Sequence, residues 1–330
     1  MNNAAELSPP SPWHDGELAM QRSAGSAEKL AARGHLLLRD HLIDQHRQFY
    51  PLLPFIVVGA VDRQGDAWAT ILAGAPGFLQ SPDPRRLTIA AARDQHDPAD
   101  GGMNDGDAVG LLGIELHTRR RNRLNGLVRR TRAEAFDVAV QQSFGNCPQY
   151  IQLREFAFVH DPATPPDVAP RELDHLDDRA RAMIAGADTF FVASYVDGAE
   201  RGRAVDVSHR GGRPGFVRVG ADGVLTIPDF SGNRFFNTLG NLIANPKAGL
   251  LFVDFETGDL LQLTGDAEVI TESPEIASVQ GAERLWRFAP RRILHRANAL
   301  PLRWTFQQDG WSPQSLRTGT WTHTGNHAGR

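Results

Sequence analysis

The chain is patterned as a series of short β-strands separated by polar turns. Apolar runs such as Phe55–Val61 have the length of a buried strand, and turns rich in Gly and Asp follow them at 62–65 and 220–223. In the C-terminal half, the same pattern predicts strands at 189–196, 203–208, 215–219, 224–228, 248–255 and 260–269.

Helices are predicted at three places by apolar residues at helical spacing. One is expected at 233–245, where Phe236, Leu239 and Leu242 recur and Pro246 marks the end. Two more are expected at 26–38 and 173–185, ahead of the two groups of strands. The stretch 161–170 contains four prolines and is typical of a linker.

The chain also repeats itself. The sequence from Gly110 to Thr118 matches that from Gly249 to Thr257 without a gap, at an offset of 139 residues. At an offset of 138, Pro-Gly-Phe at 76–78 matches 214–216, and Leu-Thr-Ile at 87–89 matches 225–227. Three matched blocks in one order indicate a duplicated unit. The expected division is an N-terminal segment 1–40, a first copy 41–160, a linker 161–172 and a second copy 173–330.

The two copies differ in the chemistry of one strand. The first copy has Trp68, Thr70, Leu72 and Ala75 where the second has Asp206, Ser208, Arg210 and Arg213. The first copy also lacks a counterpart of Ser-Gly-Asn-Arg at 231–234 and has the irregular stretch 94–106 instead. Since cationic and polar groups cluster in only one copy, we expect one anion site for each pair of repeats.

Composition excludes several other function classes. Lys plus Arg number 35 against 39 Asp plus Glu, so a net charge of −4 gives no overall attraction to nucleic acid or an anionic membrane. The single Cys147 precludes an intrachain disulfide, and no Cys/His spacing indicates a metal site. The polar start and the short apolar runs give no export signal or membrane span, which makes a cytoplasmic location the expectation.

Several motifs of the second copy resemble the flavin-binding split barrels related to pyridoxamine 5′-phosphate oxidase. The motifs are Asp-x-Ser-x-Arg-Gly at 206–211, Pro-Gly-Phe at 214–216, Pro-Asp-x-x-Gly-Asn-Arg at 228–234 and Asn-Pro-x-x-Gly-Leu-Leu-Phe at 245–252. The resemblance covers most of 172–269 and is weaker in the first copy and the tail. It implies a mainly β protein with flanking helices, built as two tandem split β-barrels of the FMN-binding type.

The resemblance further implies an FMN whose phosphate is held by basic and small polar residues. Such groups satisfy a phosphate because they supply cations and several hydrogen-bond donors, and a helix start adds free amides. A segment at 144–152 resembles the family's terminal Cys-Pro-Lys-like stretch, and Trp13 and His14 open another segment that resembles a cover for the flavin ring. The candidate cofactor residues are Asp206, Ser208, Arg210, Gly211, Arg213, Pro228, Asp229, Gly232, Asn233, Arg234, Asn146, Cys147, Gln149, Tyr150 and Gln152.

Simpler interpretations remain open for each motif. Alternating Asp206, Ser208 and Arg210 also suit a solvated strand face, and Asn233 with Arg234 also suit a helix cap. Cys147 without a placed His partner is typical of a small buried residue rather than a nucleophile. The basic run 119–123 suits a solvated turn or an ion-pair surface between the copies better than a nucleic-acid patch.

Three functions are therefore carried forward. The first is an FMN-dependent oxidoreductase acting on a small-molecule substrate, with no residue assigned as catalytic. The second is a flavin carrier or electron-transfer partner without turnover of its own. The third is a haem-handling split barrel. Pairing with a second copy as a homodimer stays open, as do the substrate and the electron donor.

Overall fold

The computed structural model describes residues 11–130, 132–164, 168–198 and 202–321. The outer parts of the predicted N-terminal segment and second copy, at 1–10 and 322–330, lie outside the described residues, as does 165–167 of the predicted linker. Within the described ranges, no helix is long and apolar enough to cross a membrane.

The protein is mainly β, as the pattern predicted. The α-helices of the described residues are α1 Asp15–Ser23, α2 Ala27–Leu37, α3 Asp44–Phe49, α4 Asp178–Gly186 and α5 Asn237–Ala244. The strands of the first half are β1 Phe55–Val61, β2 Ala67–Ala73, β3 Leu79–Asp83, β4 Arg86–Ile89, β5 Ala108–Glu115, β6 Arg120–Arg129, β7 Phe136–Gly145 and β8 Arg154–Phe158. Those of the second half are β9 Arg171–Leu173, β10 Thr189–Gly198, β11 Gly202–Gly211, β12 Arg218–Val219, β13 Leu225–Phe230, β14 Lys247–Val253, β15 Leu260–Ile270, β16 Ala282–Arg296 and β17 Leu302–Phe306.

Two antiparallel sheets have the same topology. The first has the strand order β2-β1-β5-β6-β7-β4-β3, and the second has β11-β10-β14-β15-β16-β13-β12 with β9 added on β16. Each also has a register shift at the same place, at Gly126 in the first sheet and Gly265 in the second. This equivalence is what a duplication predicts, while the closure of each sheet into a barrel and the domain boundaries stay predictions.

The two sheets pack directly on each other through apolar side chains. One core fills the second sheet around Phe190, Phe252 and Trp286, and another fills the first around Trp68 and Leu124. A third core lies between the sheets, with Val57 and Leu112 from one and Phe191 and Leu251 from the other. Because this shared core is buried within one chain, the chain forms its own sheet-to-sheet interface.

Close approach of the two sheets depends on two equivalent glycines. A Cβ on Gly110 would lie 2.6 Å from the Val205 carbonyl oxygen, and one on Gly249 would lie 2.4 Å from that of Ala67. Both glycines begin the repeated sequence block, so the duplication in sequence corresponds to a reciprocal contact between β5 and β11 and between β14 and β2.

The predicted strands of the second half are confirmed except for 215–219, of which only Arg218–Val219 is strand, and three further differences concern neighbouring segments. The proposed cofactor loop 206–213 is mostly strand, since β11 runs to Gly211. The helix predicted from 233 begins at Asn237, because Arg234 and Phe236 both adopt positive φ and interrupt helical geometry. The longest strand, β16, was missed because it carries several arginines and Pro290, which lies at the β15/β16 register shift where a missing N–H is tolerated.

Candidate functional site

A cavity opens between the two sheets at the start of α5. Strand β6 and the segment after β7 form one wall, and β11, β13 and the turn leading to α5 form the other. The residues that line it are Leu112, Arg121, Arg123, Asn146, Cys147, Gln149, Tyr150, Ser208, His209, Arg210, Gly211, Phe216, Pro228, Asp229, Phe230, Gly232, Asn233, Arg234, Phe236, Asn237, Thr238, Leu239 and Glu283.

Most of the residues nominated from the sequence come together in this cavity. Those that line it are Ser208, Arg210, Gly211, Pro228, Asp229, Gly232, Asn233, Arg234, Asn146, Cys147, Gln149 and Tyr150. Asp206, Arg213 and Gln152 do not. Arg213 donates through Nε to the Thr318 carbonyl oxygen (3.1 Å), and Gln152 donates through Nε2 to Ser315 Oγ (2.8 Å), so both hold the C-terminal segment in place.

Asp206 lies behind the cavity, where it orients an arginine. Its carboxylate is buried and accepts hydrogen bonds from Asn125 Nδ2 (2.8 Å) and Asn241 Nδ2 (3.1 Å), and it lies 3.7 Å from Arg123 Nη1. Arg123 in turn donates through Nε to the Val207 carbonyl oxygen (2.9 Å) and contacts Ser208 Oγ. The Asp-x-Ser motif therefore fixes a guanidinium that the first copy contributes.

Two arginines of β6 were not nominated from the sequence as ligands. Arg121 and Arg123 lie two residues apart on one strand, so both side chains point to the same face, which is turned toward β11. The interpretation as a solvated turn is therefore wrong for these two residues, and the alternative of an ion-pair surface between the copies is confirmed for Arg123. The sequence did carry a signal for this arrangement, because arginines two residues apart in a strand share one face.

Arg121 and His209 form a contact that fixes the protonation of the imidazole. Arg121 Nη1 lies 3.3 Å from His209 Nδ1, and since a guanidinium only donates, Nδ1 accepts and the ring proton resides on Nε2. Burial, followed by the charges of Arg121 and Arg210, holds the pKa of His209 well below its usual range, so the ring is neutral. Burial and the neighbouring Arg123 lower the pKa of Arg121 to about 10, which keeps it charged at neutral pH.

Three buried donors at the cavity have no hydrogen-bond partner among the described residues. They are Nε of Arg121, Nε of Arg210 and Nε2 of His209. Arg210 uses Nη1 to pair with Asp229 Oδ1 (2.6 Å), whose other oxygen lies 3.2 Å from Arg284. A buried unpaired donor costs roughly 1–3 kcal/mol, so this grouping favours a ligand that brings acceptor oxygens.

The start of α5 adds further donors. Among the residues that the structure describes, no side chain caps this end of the helix, where the first amides have no partner within the helix itself. Ser208 Oγ lies 2.8 Å from Thr238 Oγ1, and Arg123 Nη1 donates to Asn237 Oδ1 (2.8 Å). Free amides, two hydroxyls and arginines at a helix start together suit a bound anion.

The first copy closes the cavity with the segment that follows β7. Tyr150 stacks on Phe230 with ring centroids 5.7 Å apart, and its hydroxyl donates to the Ser231 carbonyl oxygen (2.9 Å). Asn233 Nδ2 donates to Asn146 Oδ1 (2.9 Å). The Tyr150 carbonyl presses so closely on β11 that a Cβ at Gly211 would lie 2.1 Å from its oxygen, so this position requires glycine.

Arg234 lies at the mouth of the cavity and binds the N-terminal helix. Its side chain is exposed and donates through Nη1 to the Ala24 carbonyl oxygen (3.0 Å), while Nη2 lies 3.8 Å from Glu283. Trp13 is buried against Phe235, with ring centroids 5.0 Å apart, instead of facing the cavity. The N-terminal segment therefore supports the turn before α5.

The equivalent location in the other half of the molecule is filled by the chain itself. Gln262 corresponds to Arg123 and donates to the Ala69 carbonyl oxygen (3.1 Å), as Arg123 does to the Val207 carbonyl oxygen.

Asp97 lies where the second copy has its open cavity. It contacts Thr70, which is the counterpart of Ser208, and it accepts a hydrogen bond from Arg296 Nη1 (2.7 Å). The irregular stretch 94–106 thus supplies a carboxylate that fills this location.

One comparison with known protein families gives a match in the second half of the chain. Residues 176–299 match the family model described as pyridoxamine 5′-phosphate oxidase. The second half of the chain is therefore similar to that family. The match includes β11, β13 and α5, which carry the second-copy side of the cavity. No curated protein matches the chain significantly.

Several solved structures match between 32% and 38% of this chain at low sequence identity. HupZ of Group A Streptococcus is 18% identical, covering 38% of this chain and 97% of its own with a TM-score of 0.29. HutZ of Vibrio cholerae, a haem storage protein, is 17% identical, covering 37% and 95% with a TM-score of 0.26. A Lactobacillus delbrueckii protein named after pyridoxamine 5′-phosphate oxidase is 13% identical, covering 32% and 95% with a TM-score of 0.26.

Proposed function

We propose that the protein binds one FMN per chain in this cavity and supports flavin redox chemistry on a small-molecule substrate. The observation that carries the proposal is the group of unpartnered donors of Arg121, Arg210 and His209 beside the free start of α5. A phosphate monoester is the part of FMN that such a group recognises, because it offers three acceptor oxygens and close to two negative charges.

The phosphate end would be held by residues of both copies. Arg121 and Arg123 come from the first sheet, and Ser208, Arg210 and Thr238 come from the second. The buried carboxylates of Asp206 and Asp229 pair with Arg123 and Arg210, whereas Arg121 has no carboxylate partner among the described residues. Of these arginines, Arg121 is therefore the one whose charge no carboxylate in the described part of the chain neutralises. A hydrogen bond between an arginine and a phosphate contributes about 1.5–3 kcal/mol to the free energy of binding.

The ring end would lie toward the aromatic and amide side chains of the cavity. Tyr150, Phe230 and Phe236 supply apolar surface, while Asn146 and Gln149 supply amide groups that hydrogen-bond a heterocycle edge. When bound, the flavin supplies the hydride or electron transfer. The chain's own residues bind it, orient it and exclude water from its phosphate end.

The test is an absorbance spectrum of the purified protein, mass identification of any released ligand and an FMN titration followed by flavin fluorescence. We expect a flavin spectrum and saturation at one FMN per chain. Arg121→Ala and Arg210→Ala are each expected to weaken binding about 10- to 100-fold, since each removes a charged contact. Arg203→Ala, on the hairpin after β10 where Arg203 pairs with Asp197, is the control and should match the wild type.

The outcomes separate the three functions. Absence of FMN uptake at micromolar concentration contradicts the proposal, and a Soret band on haem addition that is lost in His209→Ala would favour haem handling instead. If FMN binds, rapid saturable oxidation of NADH or NADPH in stopped-flow supports an oxidoreductase. Slow reduction by both donors would favour a flavin carrier or electron-transfer partner.

A further inference from the structure

A buried carboxyl group of helix α1 is linked to the cavity through the side-chain amide of Asn237. Glu17 of α1 accepts a hydrogen bond from Asn237 Nδ2 at the start of α5, and Asn237 Oδ1 accepts from Arg123 Nη1 (2.8 Å). Glu17 is only 5% exposed and does not line the cavity. It therefore acts on the cavity through Asn237 and Arg123 rather than by touching a ligand.

Helix α1 packs closely on α5 and buries Glu17. A Cβ on Gly16 would lie 2.1 Å from the Gly240 carbonyl oxygen, which shows how closely α1 packs on α5. His14 caps α1, donates its backbone N–H to Glu17 Oε2 (3.1 Å), and places its Nε2 2.8 Å from Asn241 Oδ1. The carboxyl of Glu17 is thus held by hydrogen bonds from two elements.

The charges around Glu17 are unbalanced. From β6 it faces Arg123 and from β11 it faces Asp206, so one guanidinium lies between two carboxyl groups. On its own helix the titratable neighbours in sequence are His14, whose pKa burial lowers, and the exposed Asp15. Burial, with a smaller effect of Asp206, raises the pKa of Glu17 to about 8, so at pH 7 Arg123 balances Asp206 alone.

We propose that Glu17 is a positioning residue of the anion site, which in its neutral form holds Asn237 against Arg123 and which weakens anion binding when it loses its proton. An ionised Glu17 adds a second negative charge beside Arg123 and competes with a ligand phosphate for that cation. By linkage, a bound anion favours the protonated carboxyl, so binding takes up a proton. This proposal rests on the proposed function only in that the ligand is a phosphate-bearing anion.

The first experiment is the FMN affinity from pH 7 to pH 9.5, where the phosphate is already dianionic. We expect wild-type affinity to fall about 10-fold, a coupling of about 1.4 kcal/mol. Glu17→Gln, which keeps the volume and the neutral state, is expected to bind within about 3-fold of the wild type at pH 7 and to lose the pH dependence. Asp15→Asn removes a neighbouring charge from the same helix and should keep the wild-type profile. A Glu17→Gln profile as steep as the wild type overturns the proposal.

A second measurement needs no variant. Calorimetric titration of the wild type with FMN at pH 8, in two buffers of different ionisation enthalpy, should show uptake of up to about half a proton per ligand. Equal apparent enthalpies in the two buffers would mean no uptake and would overturn the proposal. If Glu17 only stabilised the fold, it would affect the unfolding temperature, but FMN binding would not take up a proton.

Failure of FMN binding is distinguishable from failure of this inference. If no FMN binds at any pH, the proposed function fails, and the pH series is repeated with inorganic phosphate as the ligand and the shift in unfolding temperature as the readout. A phosphate-induced shift that declines above pH 8 in the wild type but not in Glu17→Gln supports the role of Glu17. No shift at any pH, or the same decline in both proteins, overturns it.

Discussion

Arg123 and Asp206 form a buried ion pair that joins the two copies of the chain, with Nη1 and Oδ1 3.7 Å apart. Arg123 belongs to β6 of the first sheet and Asp206 to β11 of the second. Removing one partner of a buried pair leaves an uncompensated charge. The pair therefore has consequences both for stability and for the cavity that Arg123 lines.

Asp206→Ala is expected to lower the free energy of unfolding by about 3–5 kcal/mol, since it leaves Arg123 buried without its carboxylate. The unpaired guanidinium should also bind a phosphate more strongly. Urea unfolding with and without 10 mM inorganic phosphate checks both effects. Stabilisation by phosphate should be larger in the variant than in the wild type, and an equal increment would contradict a phosphate contact at Arg123.

Asp97→Ala tests the location in the first copy that is equivalent to the cavity and that Asp97 fills. Asp97 pairs with the buried Arg296 (2.7 Å) and contacts Thr70 and Gln262. Arg296 keeps its second pair with Asp94, so the loss of Asp97 should cost about 1–3 kcal/mol through the unpaired polar groups it leaves. FMN affinity at the cavity of the second copy should be unchanged within about 2-fold, because additivity holds for distant sites. A parallel loss of FMN binding would show that the two locations are coupled.

Gly211→Ala tests the closure of the cavity by the first copy. The added methyl meets the Tyr150 carbonyl oxygen at 2.1 Å, and a backbone atom cannot give way without moving the whole segment. We expect destabilisation by about 1–3 kcal/mol and a loss of FMN affinity of more than about 10-fold. Gly186→Ala at the end of α4, where an added Cβ meets nothing within 4 Å, is the control. Wild-type binding by Gly211→Ala would mean that the 146–152 segment is not needed.

The stability of the apo protein should depend on pH through Glu17. Its pKa in the folded state, about 8, lies above the ordinary value of 4.5, so the folded state holds the proton more tightly. The stabilisation is fully present below about pH 4.5 and is lost as the pH rises toward 8, by up to about 1.4 kcal/mol per unit. Urea unfolding at pH 5.5, 7 and 8.5 should show a decline that is smaller in Glu17→Gln. Parallel curves for the two proteins would contradict the shifted pKa.

The sequence alone determined the strand pattern, the family resemblance and the concentration of polar groups in the second copy. These follow from local rules, because alternation of apolar residues and the spacing of Gly, Pro and Asp are properties of neighbouring residues. The internal repeat also predicted that equivalent strands would exist in both halves. Twelve nominated residues therefore line one cavity, although they come from segments as far apart as Asn146 and Arg234.

Only the tertiary structure decided how the two copies share that cavity. Arg121 and Arg123 belong to a basic run whose partners, His209 and Asp206, lie more than 80 residues away in the sequence, and no local pattern encodes that pairing. The same limit applies to Glu17, which reaches Arg123 through Asn237, and to Asp97, which closes the counterpart. The contacts of each of these groups depend on how the two sheets pack, because their partners come from distant parts of the sequence.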